Sequence, residues 1–206
     1  MKILFLGDVV GTTGRSMIFN NLLSEIKNKK INFVVVNGEN AADTGVGITE
    51  EICKDFFNCG VDVITTGNHV WDQKETMSHI EKENRLLRPK NLFEPSPGKG
   101  FGVFIAKNQM RVGVLNLMGN VFMKKCEDVF EAAEKFMKKY KLKEDYDFLL
   151  VDFHGEITRE KAAMGHFFDG KATLVVGTHT HIPTNDTRVL KGGTDYYFLS
   201  VLCGVL

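Results

Sequence analysis

Two histidines separated by one residue, His179 and His181, lie three and five positions after the end of the apolar run of residues 172–176. In an extended chain, side chains two positions apart point to the same side, so both imidazoles could bind one metal ion. Imidazole is the commonest metal-binding side chain at neutral pH. For an isolated pair of this kind, two polar residues at a strand end are the commoner explanation, so the rest of the chain has to decide.

Four other apolar runs end in polar side chains of a similar kind. Their closing residues are Asp8, then Glu39 and Asn40, then Asn68 and His69, and finally His154. The runs alternate with segments of helical periodicity, which predicts an α/β fold with right-handed crossovers. In such folds ligands bind beyond the carboxyl ends of the strands. We therefore expect these side chains to meet at one rim of a sheet.

The combined set offers two carboxylates, two amides and four imidazoles, more than a single metal ion needs. Two divalent ions would need a set of about this size if one carboxylate bridged both. Because no cysteine takes part, the set favours Mn or Fe, with Zn also open. Two such ions about 3.5–4 Å apart clamp a phosphoryl group and generate a bridging hydroxide as nucleophile. An imidazole beside the metals, but not bound to them, is then the natural acid for the leaving alkoxide.

Each of these residues also has an ordinary structural explanation. Asp8 could cap the next helix, and Glu39 and Asn40 could belong to a turn. His154 could be a packed core histidine. These explanations would have to hold independently at five strand ends, so we favour the metal site. Asp152 precedes His154 by two residues and could orient it from behind.

The predicted elements follow from periodicity, capping residues and turn residues. Strands are predicted over residues 2–6, 32–37, 61–65, 148–153 and 172–176, with hairpins 102–106/111–115 and 187–190/196–201. Helices are predicted after a turn at residues 11–14, after Thr49, and over residues 73–84, 127–141 and 161–168, with Asp72 as the cap of the third. Residues 85–100 hold all but one of the prolines and are interpreted as an ordered loop. The hairpins predict that the sheet is mixed.

Composition limits the classes of partner. The 206 residues include 26 Lys and Arg against 26 Asp and Glu, so no overall basic field favours duplex nucleic acid or a membrane surface. The apolar start is too short for a signal peptide and no run of about 18 apolar residues occurs, so we expect a cytoplasmic protein. Without a linker or repeat, residues 1–206 are expected to form a single domain.

The four cysteines include no C-x-x-C pair and are expected to be buried hydrophobes.

A series of motifs runs in fixed order from Met1 to about Thr194. They are G-D-V-V-G, N-G-E-N-A-A, G-N-H-x-W-D, R-P-x-N, P-G-K-G, D-F-H-x-E and G-T-H-T-H. The chain thereby resembles the calcineurin-like metallophosphoesterases, and within them the YmdB-like branch. The resemblance implies a four-layer α/β/β/α sandwich with mixed sheets. It also implies a binuclear metal-dependent phosphodiesterase, and some members of the branch hydrolyse 2′,3′-cyclic AMP.

The resemblance assigns roles to the residues that match. One ion would be held by Asp8, Glu39, Asn40 and His181, and the other by Glu39, Asn68, His154 and His179, with Glu39 as the bridge. His69 would protonate the leaving group. The wider family has a histidine where this chain has Val10, and Asn40 substitutes for it, as in the YmdB-like branch. The implied substrate is a small nucleotide, such as 2′,3′-cyclic AMP, or an RNA end.

The end of the chain departs from the branch pattern. YmdB-like proteins continue through a D-x-G-M-T-G segment, whereas this chain has Y-Y-F-L-S-V-L-C-G there. The apolar residues 201–206 are expected to be buried in the domain or against another subunit, which leaves a homo-oligomer open. An alternative to hydrolysis also remains: a regulatory protein that keeps the metal site and binds a nucleotide or a partner.

Overall fold

The computed structural model describes residues 1–182, 184–197 and 202–203. In chain order its elements are β1 (Ile3–Val9), α1 (Gly11–Lys29), β2 (Phe33–Asn37), α2 (Glu50–Asn58), β3 (Val63–Thr65), α3 (Thr76–His79), β4 (Leu86–Leu87), β5 (Phe101–Ile105), β6 (Arg111–Met118), α4 (Val129–Lys139), β7 (Phe148–His154), α5 (Thr158–Phe167), β8 (Leu174–Thr178), β9 (Arg188–Val189), β10 (Asp195–Tyr197) and β11 (Leu202–Cys203). Strands and helices alternate through most of the chain, as the apolar pattern predicts.

The strands form two sheets. The first has the order β11-β1-β2-β3-β4, and all its pairings are parallel. The second has the order β5-β6-β7-β8-β10-β9, with antiparallel pairs at its two edges and parallel pairs between them. The expectation of mixed pairing is therefore confirmed in the second sheet.

Four layers follow from the way each sheet buries both of its faces. Because side chains alternate along a strand, Phe33 and Val35 of β2 point toward the second sheet, where they share a core with Val114 of β6. Val34 and Val36 point the other way and pack with α1 and α2. A third core packs α4 and α5 on the outer face of the second sheet. The predicted α/β/β/α sandwich is confirmed.

Two local predictions are wrong. Residues 11–14, predicted as a turn, form the start of α1, where the N–H of Gly14 already bonds to the carbonyl of Val10. Residues 73–84, predicted as a helix, contain only the short α3. Asp72 does not cap it, because its carboxylate bonds to the side chains of His69 and Lys124 instead.

Other predictions hold in part. Thr49 caps α2 by accepting a hydrogen bond from the N–H of Ile52, as expected. The predicted loop 85–100 contains the short strand β4. β9 and β10 pair antiparallel as the final hairpin requires, whereas residues 198–201 and the burial of the side chains of residues 201–206 lie outside the described residues. Cys53 is buried, but Cys59 and Cys126 are only half-buried.

No helix in the described ranges combines the length and the hydropathy that crossing a lipid bilayer would require.

Candidate metal centre

The predicted ligands come from strand ends of both sheets. Asp8 lies near the end of β1, Glu39 follows β2, and Asn68 follows β3 in the first sheet. His154 ends β7 and His179 follows β8 in the second. The remaining predicted site residues, Asn40, His69 and His181, follow the same strands. Because β1, β2 and β3 run parallel in the first sheet, and β7 and β8 run parallel in the second, the carboxyl ends of these site strands meet at one rim.

Three of the predicted ligands surround the imidazole of a fourth, His154. Its Nε2 lies 3.0 Å from Oε1 of Glu39, 3.0 Å from Oδ1 of Asn68 and 3.1 Å from Nδ1 of His179. Glu39 and His154 are fully buried. These four residues form the first group.

A second group lies around His181. Its Nε2 is 3.0 Å from Nδ2 of Asn40 and 3.9 Å from Oδ1 of Asp8. Donor atoms of Asp8, Glu39 and His181 all lie within 4.8 Å of one another, as do those of Glu39, His154 and His179. Glu39 therefore belongs to both groups, which is the position a bridging carboxylate must occupy.

His154 is oriented from behind by a chain of hydrogen bonds. Its Nδ1 lies 2.9 Å from Oγ1 of Thr178, and the Thr178 hydroxyl donates to Oδ1 of Asp152 at 2.7 Å. Because the Thr178 hydroxyl uses its only hydrogen in the bond to Asp152, its oxygen accepts a hydrogen bond from Nδ1–H of His154. The lone pair of the neutral ring is then on Nε2, which faces the first group. Asp152 acts on His154 through Thr178, and the Asn37 amide fixes its other oxygen.

In the part of the chain that the structure describes, some buried oxygen atoms of the two groups lack the hydrogen-bond donors that they would need in a site without cations. Among the described residues, Oδ1 of Asp8, Oε1 of Glu39 and Oδ1 of Asn40 are buried without a hydrogen-bond partner. A buried oxygen left unpaired costs about 1–3 kcal/mol, and more when it is charged. The separations of 3.0–3.1 Å around Nε2 of His154 are also close enough for these donors to share one ion. The residues fit a pair of divalent cations.

The electrostatics of the site lead to the same conclusion. Burial raises the pKa of Asp8 to about 7, and His154 only partly opposes that effect. Burial also raises the pKa of Asp152. Burial, followed by the nearby His154, lowers the pKa of His179 to about 4, and burial lowers the pKa of His181. The last two imidazoles are thus neutral near pH 7 with lone pairs to offer, while the buried carboxylates require positive charge.

Three of the site residues have backbone conformations that most side chains avoid. Asp8, His179 and His181 have φ values of 21°, 95° and 54°. Positive φ costs a non-glycine residue about 1–3 kcal/mol, and the structure around it has to hold it there. Such strain aims side chains that a regular strand would point elsewhere.

Gly67 makes room for the first group. A Cβ added to it would overlap both Oε2 of Glu39 and Nε2 of His154. Any larger residue would displace one of these two side chains. The glycine of the G-N-H motif is therefore part of the site.

Comparison with known proteins decides the family. The family model described as YmdB-like protein matches residues 4–204. The chain belongs to the YmdB-like family. This YmdB-like chain is 43% identical over 197 residues to the 2′,3′-cyclic-nucleotide 2′-phosphodiesterase of Bacillus subtilis, a match that covers 95% of the chain and 73% of that relative.

Two solved structures resemble the YmdB-like chain over nearly its whole length. A hypothetical protein of Thermus thermophilus has a TM-score of 0.91 at 34% identity, covering 100% of this chain and 78% of that one. A novel phosphatase of Mycoplasma pneumoniae has a TM-score of 0.88 at 35% identity, covering 98% and 72%. With these relatives, the YmdB-like chain is an enzyme of the metallophosphoesterase class.

His69 lies at the edge of the first group. Its backbone N–H donates to Oε2 of Glu39 at 3.3 Å, whereas its Nδ1 lies 2.5 Å from Oδ2 of Asp72. Its side chain is 28% exposed. Lys124 donates to the other oxygen of Asp72 at 3.2 Å. The imidazole of His69 thus has one nitrogen held by a carboxylate in a position that solvent and substrate can reach.

Sequence reasoning missed Lys161 of α5. This lysine is 1% exposed, and its Nζ donates to Oγ1 of Thr180, between the two histidines of the G-T-H-T-H motif. Burial lowers its pKa to about 8, while Asp8 raises it. One signal could have found it: Lys161, Met164 and Phe168 form a helical stripe whose other two members are buried and apolar.

Proposed function

We propose that the chain is a binuclear metal-dependent phosphodiesterase that hydrolyses 2′,3′-cyclic nucleotides, such as 2′,3′-cyclic AMP, or RNA ends with the same cyclic phosphate. The observation that carries the proposal is the position of Glu39 in both donor groups. The name of the Bacillus subtilis relative supports the substrate class. In this proposal residues 1–206 form one domain, because the two groups draw on both sheets, and the protein is cytoplasmic.

The proposed ligands divide between the two groups. Asp8, Glu39, Asn40 and His181 would hold one ion, and Glu39, Asn68, His154 and His179 would hold the other. Two divalent ions would polarise the phosphodiester and make water a nucleophile near neutral pH. The nitrogen and oxygen donors favour Mn or Fe, with Zn as a further option.

The protein's own residues do the rest of the chemistry. Thr178 and Asp152 keep the ring of His154 in the tautomer whose Nε2 faces the site. Asp72 holds Nδ1 of His69, which leaves Nε2 of that ring to give a proton to the departing ribose oxygen. The same carboxylate fixes the orientation of the ring for the transfer.

The test is hydrolysis of 2′,3′-cyclic AMP by protein purified without chelators and supplied with Mn²⁺. We expect about two metal ions per chain by elemental analysis, and the 3′-monophosphate as product because the relative is named for the 2′ bond. Glu39→Gln is the matched control, since it keeps the shape but removes the charge that both groups share, and it should lose metal and turnover together.

One result would contradict the proposed function. A wild-type protein that holds two metal ions but turns over neither cyclic nucleotides nor cyclic-phosphate RNA ends is not this phosphodiesterase. Tight nucleotide binding without turnover in such a sample would support the regulatory alternative.

A further inference from the structure

The loop of residues 119–125 displays an aromatic side chain in an unusual conformation. Phe122 is 85% exposed and has a φ of 60°. A bulky residue with positive φ is a conformational outlier. Exposing a phenyl ring to water is also unfavourable, because its apolar surface is not buried. Val121 beside it is 41% exposed. Two unfavourable features at one residue require that the surrounding structure hold it in place.

The first end of the 119–125 loop is fixed to the metal centre. The N–H of Gly119 donates to the carbonyl of His154 at 2.9 Å. The next two N–H groups, of Asn120 and Val121, donate to the carboxylate of Glu160 at 2.8 and 3.4 Å. Glu160 is only 8% exposed, so this anchor is a buried charge-assisted one.

The second end is fixed to the proposed acid. Lys124 bonds to Asp72, and Asp72 bonds to Nδ1 of His69. The two ends of the 119–125 loop therefore bond to a predicted metal ligand and to the partner of the proposed proton donor. Phe122 lies between these anchors in the chain, so the loop that carries it borders the site in which the substrate would lie.

We infer that Phe122 is the platform on which the nucleobase of the substrate stacks, an inference that rests on the proposed function. A cyclic phosphate held by the two groups leaves its ribose and base to extend beyond the rim. A phenyl ring gives a stacking surface but no hydrogen bond, so it would accept any base. The subsite thus takes purine and pyrimidine nucleotides, with the larger purines bound more tightly.

The test compares two substrates that differ only in the base: 2′,3′-cyclic AMP and methyl riboside 2′,3′-cyclic phosphate. Phe122→Ala should raise KM for the nucleotide about tenfold, because one base-aromatic stack contributes roughly a factor of 5 to 150 in affinity. Its kcat for the nucleotide and its KM for the base-free substrate should stay near wild type. Phe122→Tyr should restore KM, since it keeps the ring.

A matched control tests whether removing any exposed apolar side chain has the same effect. The control position is Ile105 of β5, which is 59% exposed. Ile105 pairs with Arg111 at the start of β6, whereas Met118 at the end of β6 pairs with His154 of the site. Ile105 therefore lies at the end of the strands that is far from the site. Ile105→Ala should leave both KM values unchanged.

The remaining outcomes overturn the inference in distinguishable ways. If wild type hydrolyses both substrates with equal KM, the phosphodiesterase stands and the base subsite does not. The same holds if Phe122→Ala affects both substrates equally, or if it changes the elution volume on size exclusion, which would make Phe122 a subunit contact. If wild type hydrolyses neither substrate, the proposed function fails and the subsite with it.

Discussion

At the scale of single residues, the surroundings of the proposed metal ligands differ from those of the proposed proton donor. His154, His179 and His181 lie within the two donor groups, and their imidazoles face carboxylate or amide groups. His69 instead gives one nitrogen to Asp72 and remains partly exposed. This difference in surroundings, rather than any difference in residue type, supports His69 as the acid.

We predict that His69→Asn keeps its metal but lowers kcat for 2′,3′-cyclic AMP by about 10²- to 10⁴-fold, the usual contribution of a general acid. Bis-p-nitrophenyl phosphate has a leaving group that needs no proton, so its hydrolysis should fall much less. His154→Asn is the control that should lose metal. An equal loss of kcat on both substrates, with metal retained, would exclude the acid role.

At the scale of elements, α5 holds two loops of the site through consecutive buried charges. Glu160 binds the N–H groups at the start of the 119–125 loop, and Lys161 binds Thr180 between His179 and His181. Both of those histidines have strained φ values, so their loop depends on contacts of this kind. The helix thereby positions residues that lie far from it in the sequence.

We predict that Lys161→Met weakens Mn²⁺ binding by about 10- to 100-fold, the usual cost of removing a group that supports metal ligands. The change removes the hydrogen bond to Thr180 and a positive charge near Asp8. Titration calorimetry measures the affinity, and Lys171→Met, at an exposed position just beyond α5, is the control. Unchanged Mn²⁺ affinity in Lys161→Met would show that the loop does not need the lysine.

At the scale of the whole molecule, the site joins the two sheets. Asp8, Glu39 and Asn68 belong to the first sheet, and His154 and His179 to the second. Ions bound in both groups would link the sheets across their shared core and neutralise buried carboxylates. Metal binding should therefore contribute to the stability of the fold as well as to catalysis.

We predict that chelation lowers the melting temperature and that Mn²⁺ restores it. At a free Mn²⁺ concentration about 100 times the dissociation constant, linkage contributes about 2.7 kcal/mol. For a chain of this size that corresponds to a shift of about 5 to 10 °C. Differential scanning fluorimetry measures the shift, and Glu39→Gln should show little response. A melting temperature that does not depend on metal would contradict the link between the sheets.

Some of this structure could be predicted from local sequence, because local pattern is what determines strands and their ends. The run Phe33–Val36 is apolar throughout, and β2 is buried on both faces as that run requires. The polar residues that follow such runs could be named as site candidates for the same reason. The prediction of a helix over residues 73–84 is wrong because the side chains of its expected cap, Asp72, and of its first residue, Gln73, bond to distant loops.

The sequence by itself determined the parallel strands, their closing side chains and the kind of chemistry that those side chains allow. Only the tertiary structure decided which groups support them: Lys124 reaches Asp72 across 52 positions, and Glu160 reaches Asn120 across 40. Contacts over such separations leave no periodic signal in a single sequence. The lysine or glutamate that makes such a contact cannot be distinguished in the sequence from one that faces solvent. Folding brings Lys161 beside the loop of His179 and His181, and it anchors the loop of Phe122 to Glu160 and Asp72, which is the basis for including both residues in our proposals.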